Sequence, residues 1–421
     1  MARMLPFFLV TLVVLLLLDL YVFKGIKLLI QSWENTWLRR AVLWFFWLLT
    51  LGFIIYCIWV IAHAREFQLA HNYRHFFAAF GIFILMLIPK LVFAIFHLMD
   101  DISFGIMWGW NKLCYADSPA GEGVKITRAV FLSRIGIVLA GIPFFSILYG
   151  LLKGKYDFRV IRQPLAFSNL PKSFHGFTVV QISDAHLGSF MENKEPVEKA
   201  IAMINDLHPD VVVFTGDLIN NYSDEAEPWI DLFKNINAKY GKYSILGNHD
   251  YGDYGTFDSA QSKFNNLERL KQIHGEMGFR LLLNENEKIV LNGEEIALIG
   301  IENWGKPPFP QHGNLKLATA NTENHPFKIL LSHDPSHWDA QVLGDEQYDL
   351  TLSGHTHGMQ FGIEIAGIKW SPVKYKYPRW GGLYTEGKQH LYVNRGFGYL
   401  GFPGRVGMPP EITLIELHHQ A

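Results

Sequence analysis

A chain of 421 residues with 49% hydrophobic and only 18% charged residues is too apolar for an ordinary soluble protein. Its formal net charge of -2 gives no basic footprint, so a nucleic-acid partner is not expected. Its two cysteines, Cys57 in an apolar run and Cys114 in a polar connection, suggest neither a disulfide framework nor a thiolate metal site.

The apolar residues crowd into the first third. Residues 5–23, 41–62, 76–98 and 129–152 each reach the roughly 20 residues a helix needs to cross a bilayer core. The first run is longer than a signal-peptide core and no small-x-small site follows it, so a span is expected there. Residues 25–40 mix apolar, aromatic and basic side chains and are expected to lie along the interface as an amphipathic helix. Asp19 and Arg134 are expected to reach the interface by snorkelling. Lys90 sits deeper and is expected to face the bundle interior, toward a carboxylate such as Asp19 or a lipid phosphate. Four spans would put both chain ends on one side of the membrane. Lys and Arg balance between the two sides. The group Lys153, Lys155, Arg159 and Arg162 leans the region after the last span toward the cytoplasm.

Beyond residue 152 the apolar runs shorten and alternate with helical patterns. Residues 177–183, 210–215 and 242–246 read as strands, with helices expected at 195–207 and 225–236 between them. This alternation implies parallel strands covered by helices. A helix at 267–277 follows, then strands at 280–283, 288–291 and 296–301, with Asn292-Gly293 as a hairpin turn. Strands at 328–331, 350–352, 389–394 and 411–417 complete the reading. The expectation is an α/β fold in two parts: a membrane region, 1–152, and a globular domain, 153–421, with more than one sheet.

Five short blocks stand at the ends of these strands: Asp184-Ala185-His186, Gly216-Asp217, Gly247-Asn248-His249-Asp250, Ser332-His333-Asp334 and Gly354-His355-Thr356-His357-Gly358. A strand end fixes a side chain's position and leaves it accessible. Strand alternation is expected to place Asp184 and His186 on one side. The donors Asp184, His186, Asp217, Asn248, His333, His355 and His357 offer nitrogen and oxygen without thiolate, which suits Mn, Fe, Zn or Co, with Mn favoured. Seven donors are too many for one ion and suit two divalent ions sharing a carboxylate, an arrangement that clamps a phosphate.

The succession D-x-H, G-D, G-N-H-D, H and G-H-x-H resembles the calcineurin-like metallophosphoesterases, over roughly residues 165–417. The frame from Leu170 to Asp184 and the tail from Asn394 to Ile412 resemble the membrane-associated bacterial branch. That branch includes transmembrane phosphodiesterases and a UDP-2,3-diacylglucosamine pyrophosphatase. The resemblance implies an α/β sandwich of two mixed sheets flanked by helices, anchored in a bacterial inner membrane. It implies hydrolysis of a phosphoester or pyrophosphate, expected to be lipid-linked, by attack of metal-bound hydroxide. The first metal would be held by Asp184, His186, Asp217 and His357. The second would be held by Asp217, Asn248, His333 and His355. His249 would act on the leaving oxygen, and Asp250 would orient His249. Asn220 and Met359 depart from the family pattern and bear on substrate contacts. Residues 303–313 and 370–384 are expected to form an acyl-facing rim. The alternatives are a membrane scaffold with a vestigial site, and a nuclease.

Overall fold

The computed structural model describes residues 4–114, 122–191, 193–345, 347–365 and 367–420. The chain divides into two compact units, Met1–Tyr149 and Gly150–Ala421.

The first unit is helical. Helices α1 (Met4–Ile30), α2 (Thr36–Ala62), α3 (Ala64–Leu69) and α4 (Arg74–Cys114) precede α5 (Glu122–Leu152). Among the described residues, α2, α4 and the segment Arg128–Leu152 of α5 are long and apolar enough to cross a membrane. The expected first span, 5–23, lies within α1, and its opening side chains fall outside the described residues. No separate interfacial helix occupies residues 25–40. The end of α1, a tight turn and the start of α2, capped by Asn35 Oδ1 accepting from Leu38 N at 3.0 Å, share that stretch.

Lys90 of α4 does face the interior, 2.5 Å from Asp19 of α1. The Thr50 hydroxyl of α2 donates to the other Asp19 oxygen at 2.7 Å. Asp19 therefore does not snorkel. It is fully buried, because a cation and a hydroxyl from two other helices replace the water it would otherwise seek.

The second unit is an α/β sandwich with two mixed sheets. Its elements are β1 (Arg159–Phe167), β2 (Phe177–Ile182), α6 (Glu195–Asp206), β3 (Val211–Thr215), α7 (Ile230–Lys234), β4 (Lys242–Ile245), α8 (Ala260–Glu276), β5 (Arg280–Leu281), β6 (Glu285–Leu291), β7 (Glu294–Gly300), α9 (Leu315–Ala318), β8 (Lys328–Leu331), β9 (Leu350–Ser353), β10 (Ile363–Ile365), β11 (Ile368–Trp370), β12 (Gly382–Glu386), β13 (Gln389–Val393) and β14 (Glu411–His419). One six-stranded sheet runs β1-β14-β2-β3-β4-β5 and the other β12-β13-β9-β8-β7-β6. In the first, β2, β3, β4 and β5 are parallel and β14 meets β2 antiparallel. In the second, β13, β9, β8 and β7 are parallel and the outer strands are antiparallel.

One core lies between the sheets, where Val179, Val211, Val213 and Ile245 meet Leu298, Ile329, Leu331 and Leu352. A second holds Ile201, Ile204, Phe233, Leu270 and Ile273 of the helices against Val180, Val212 and Phe214. Each such buried aliphatic contributes about 1.5–3 kcal/mol, so the strands are fixed rigidly from both faces. The helix expected at 225–236 is broken into 3-10 turns and the short α7, with Pro228 in the opening turn of the 3-10 element just before α7. Strand β1 lies where the sequence pattern predicts no strand. It carries Arg159, Arg162 and Pro164, as a sheet edge tolerates, and pairs with β14 from the far end of the chain.

Candidate metal centre

Three parallel strands of one sheet and two of the other end at a common edge. After β2 come Asp184 and His186, after β3 Asp217, after β4 Asn248 and His249, after β8 His333, and after β9 His355 and His357. Five of these donors, Asp184, His186, Asp217, His355 and His357, have left-handed backbone, with φ between 44° and 71°. Asp184 and His186 thus converge through a strained turn and not through strand alternation. Non-glycine residues in this region cost on the order of 1–3 kcal/mol each and persist where the surroundings impose them. The turns approach so closely that a Cβ on Gly216 would lie 2.6 Å from Gly247 N and 2.8 Å from His333 Nδ1.

The expected ligands come together as two groups. Asp184, His186 and His357 each offer a ligand atom within 4.8 Å of the others, and so do Asp217, His333 and His355. His186 Nε2 and His357 Nε2 are 3.1 Å apart, and His357 Nε2 is 3.2 Å from Asp184 Oδ1. Asp217 Oδ2 is 3.2 Å from His333 Nε2 and 3.6 Å from His186 Nε2, so one oxygen faces both groups. The other Asp217 oxygen accepts the His249 backbone N–H at 2.9 Å.

Surrounding contacts aim the donors. His186 Nδ1 meets Asn220 Oδ1 at 3.1 Å, and His333 Nδ1 donates to the Thr215 carbonyl at 2.7 Å, which leaves each Nε2 for the centre. The Asn248 amide nitrogen donates to Tyr254 Oη at 3.0 Å, turning Oδ1 inward. His355 reverses the pattern. Its Nε2 lies 2.8 Å from Tyr377 Oη and 3.6 Å from Asp334 Oδ2, leaving Nδ1 as the nitrogen to offer. The buried Arg405 guanidinium donates to the carbonyls of Arg395, Gly396, Gly398 and Met408 and approaches His357 Nδ1 at 3.4 Å.

Two expected roles change. Asp250 does not orient His249. Its carboxylate accepts backbone N–H groups from Gly247, Asp217 and Leu218 at 2.8 Å and from Ile219 at 3.3 Å, clamping the loop after β4 to the loop after β3. The Asn220 carbonyl orients His249, 2.8 Å from Nδ1. Asn220 thus contacts an expected ligand and the expected catalytic imidazole, beyond the substrate contacts anticipated for it. Its local signal was weak, because the work falls to a backbone carbonyl and an amide reaching residues distant in the chain. Asp334 and Tyr377 were also missed as His355 partners, although Asp334 directly follows a candidate ligand histidine.

The donors fit divalent ions. Asn248 Oδ1 is buried without a hydrogen-bond partner among the described residues, a costly condition unless a cation completes it. Burial pushes Asp184 and Asp217 upward, but His357 beside the first and His333 beside the second outweigh it and hold both carboxyls low. Burial lowers His186, His249 and His355. Burial acts the same way on His333, but Asp217 overcomes it and raises the imidazole to about 10. Positive charge is therefore favoured beside Asp217. His249 and His355 are the part-exposed members of this buried set, so the centre opens to solvent beside them.

Such a centre defines a class, the metal-dependent phosphoester hydrolases. Comparison with known proteins supplies the family. Residues 177–359 match the calcineurin-like phosphoesterases, and residues 3–155 match the domain described as "Probable Calcineurin-like phosphoesterase, transmembrane domain". The chain is 35% identical over 256 residues to an uncharacterized metallophosphoesterase, YkuE, of Bacillus subtilis, covering 59% of this chain and 82% of that protein. It is 28% identical to a transmembrane protein with metallophosphoesterase domain of Danio rerio, covering 81% and 72%. It is also 28% identical to the phosphodiesterase YaeI of Escherichia coli, covering 69% and 99%. The chain belongs to the calcineurin-like metallophosphoesterases, and it is a membrane-anchored hydrolase that uses divalent metal ions.

Proposed function

We propose that the protein hydrolyses a phosphodiester or pyrophosphate bond in a lipid-linked substrate, with manganese as its working metal, at a bacterial inner membrane with the catalytic unit facing the cytoplasm. The observation that carries the hydrolytic reading is the Asp217 oxygen facing both donor groups. When bound, two divalent ions would polarise the phosphoryl group and acidify the attacking water. Asp184, His186, Asp217 and His357 would hold one, and Asp217, Asn248, His333 and His355 the other.

His249 is held by the Asn220 carbonyl, which favours a proton on Nδ1 and leaves Nε2 to face an incoming phosphate. A phosphoryl group's negative charge favours the imidazolium, which then protonates the departing oxygen at Nε2. Asp250 serves by holding the two loops in register.

The two segments read as a rim, 303–313 and 370–384, meet beside His355. Phe309 packs edge-on against His355 at 5.1 Å, and the Tyr377 ring lies 5.2 Å away. Lys306, Phe309, Lys376 and Tyr377 line a cleft of about 250 Å³ between them, together with Arg379, which Asp339 and Glu386 neutralise. Cations mixed with aromatic rings suit a substrate with a further negative charge and an apolar portion. The phosphodiesterase named among the relatives supports a diester, and Lys153, Lys155, Arg159 and Arg162 support the cytoplasmic side.

The test is manganese-dependent turnover by the full chain in detergent on an aryl phosphodiester and on a lipid-linked diester. Faster turnover of the lipid-linked diester is expected, with both reactions lost on Asp217→Asn. Equal rates on the two substrates would remove lipid selectivity, and activity surviving Asp217→Asn would overturn the metal assignment.

A further inference from the structure

The helical unit holds a cavity of about 600 Å³ near the α1–α2 turn, and the hydrolytic centre makes no use of it. Its wall combines Lys24, Lys27 and Arg39 with apolar side chains, Leu20, Phe23 and Leu43 among them. Lys24 is neutralised by Asp101 at 3.1 Å, and Asp101 also accepts from Tyr21 Oη at 3.0 Å. Lys27, which is exposed, lies over the Phe23 ring at 4.6 Å, Arg39 is half-buried, and among the described residues no carboxylate pairs with either. His97 also lines the cavity. It is 2% exposed, yet among the described residues neither ring nitrogen has a hydrogen-bond partner. Other charges in this bundle are matched, as Lys90 is by Asp19 and Arg128 by Asp100 at 2.8 Å. A buried imidazole left open beside two unmatched cations calls for an anion that also accepts a hydrogen bond.

We propose that this cavity binds the phosphate of an anionic phospholipid. Lys27 and Arg39 neutralise the phosphate charge, His97 donates to a phosphate oxygen, and the acyl chains lie along Leu20, Phe23 and Leu43. Free inorganic phosphate has the same oxygens but nothing to set against the apolar wall. A zwitterionic lipid cancels its phosphate charge with its own ammonium group.

The experiment is native mass spectrometry of the full chain in detergent, titrated with dioleoyl phosphatidic acid or dioleoyl phosphatidylcholine, with and without millimolar inorganic phosphate. Phosphatidic acid is expected to bind at least ~10-fold tighter and to resist displacement by phosphate. Each cation near such a headgroup is worth about 5-fold, so Lys27→Gln/Arg39→Gln should lower phosphatidic acid affinity by more than ~10-fold and leave phosphatidylcholine unchanged. His97→Phe should weaken phosphatidic acid alone, by several-fold. The same measurements on Lys27→Gln, with an unchanged unfolding midpoint, separate lost binding from lost folding. Equal affinity for the two lipids, equal losses in the variants, or displacement by inorganic phosphate would overturn the proposal.

Discussion

The two units treat buried polar groups in opposite ways. In the helical unit Asp19, Lys90 and Thr50 close on one another from three helices. In the α/β unit the donors are aimed by outer contacts, from Asn220, Thr215 and Tyr254, while Asn248 Oδ1 stays open and the Asp217 carboxylate faces imidazoles of both donor groups. A closed set stabilises its surroundings, whereas an open set is held in readiness for something absent from the chain itself. By the same criterion His97 departs from the Asp19 set of its own unit, since both of its ring nitrogens are buried and open among the described residues, as is the Ser133 hydroxyl.

Variants can break or sharpen this contrast. The largest effect is expected at the open site. His249→Ala should lower turnover of an aryl phosphodiester by about 10²–10⁴-fold, the usual contribution of a positioned acid, with metal content unchanged. Loss of metal in that variant would make His249 a ligand.

Next comes the closed set. Lys90→Met leaves Asp19 buried with Thr50 alone, and about 3–5 kcal/mol of stability should be lost, as for other broken buried pairs. Asp19→Asn/Lys90→Met should recover most of it, as read by thermal unfolding in detergent. A double variant no more stable than the single would show that the charges do more than satisfy each other.

The smallest effect concerns His274, buried outside the metal centre with Nε2 unpartnered. Burial lowers it to about 4, below the ordinary value near 6.5, so the native state excludes its proton. The associated stability is present above pH ~6.5 and is lost as the pH falls toward ~4, by up to about 3 kcal/mol. His274→Leu should therefore flatten the decline of the unfolding midpoint across that window. An unchanged decline would place acid sensitivity elsewhere.

The centre was legible in the sequence because its donors are side chains in short blocks, each following a β-rich run such as Val211–Thr215 or Lys328–Leu331. The pairing of sheets was less so. Strand β1 depends on β14, and no local pattern announces a charged, proline-bearing edge. The division of labour inside the centre was the least legible part. Asp250 adjoins His249 in sequence, yet its oxygens are used by four backbone N–H groups, and His249 turns to a carbonyl 29 residues away. The left-handed turns that bring Asp184 and His186 together also left no mark in composition.

On the proposed mechanism Asp217 is shared between two metal sites. Metal content per chain, measured on the full-length protein reconstituted with manganese, tests it most directly. Two ions are expected in the wild type, with Asn248→Ala retaining the first ion and Asp217→Ala retaining neither tightly. A single ion in the wild type, or two ions in Asp217→Ala, would contradict the account.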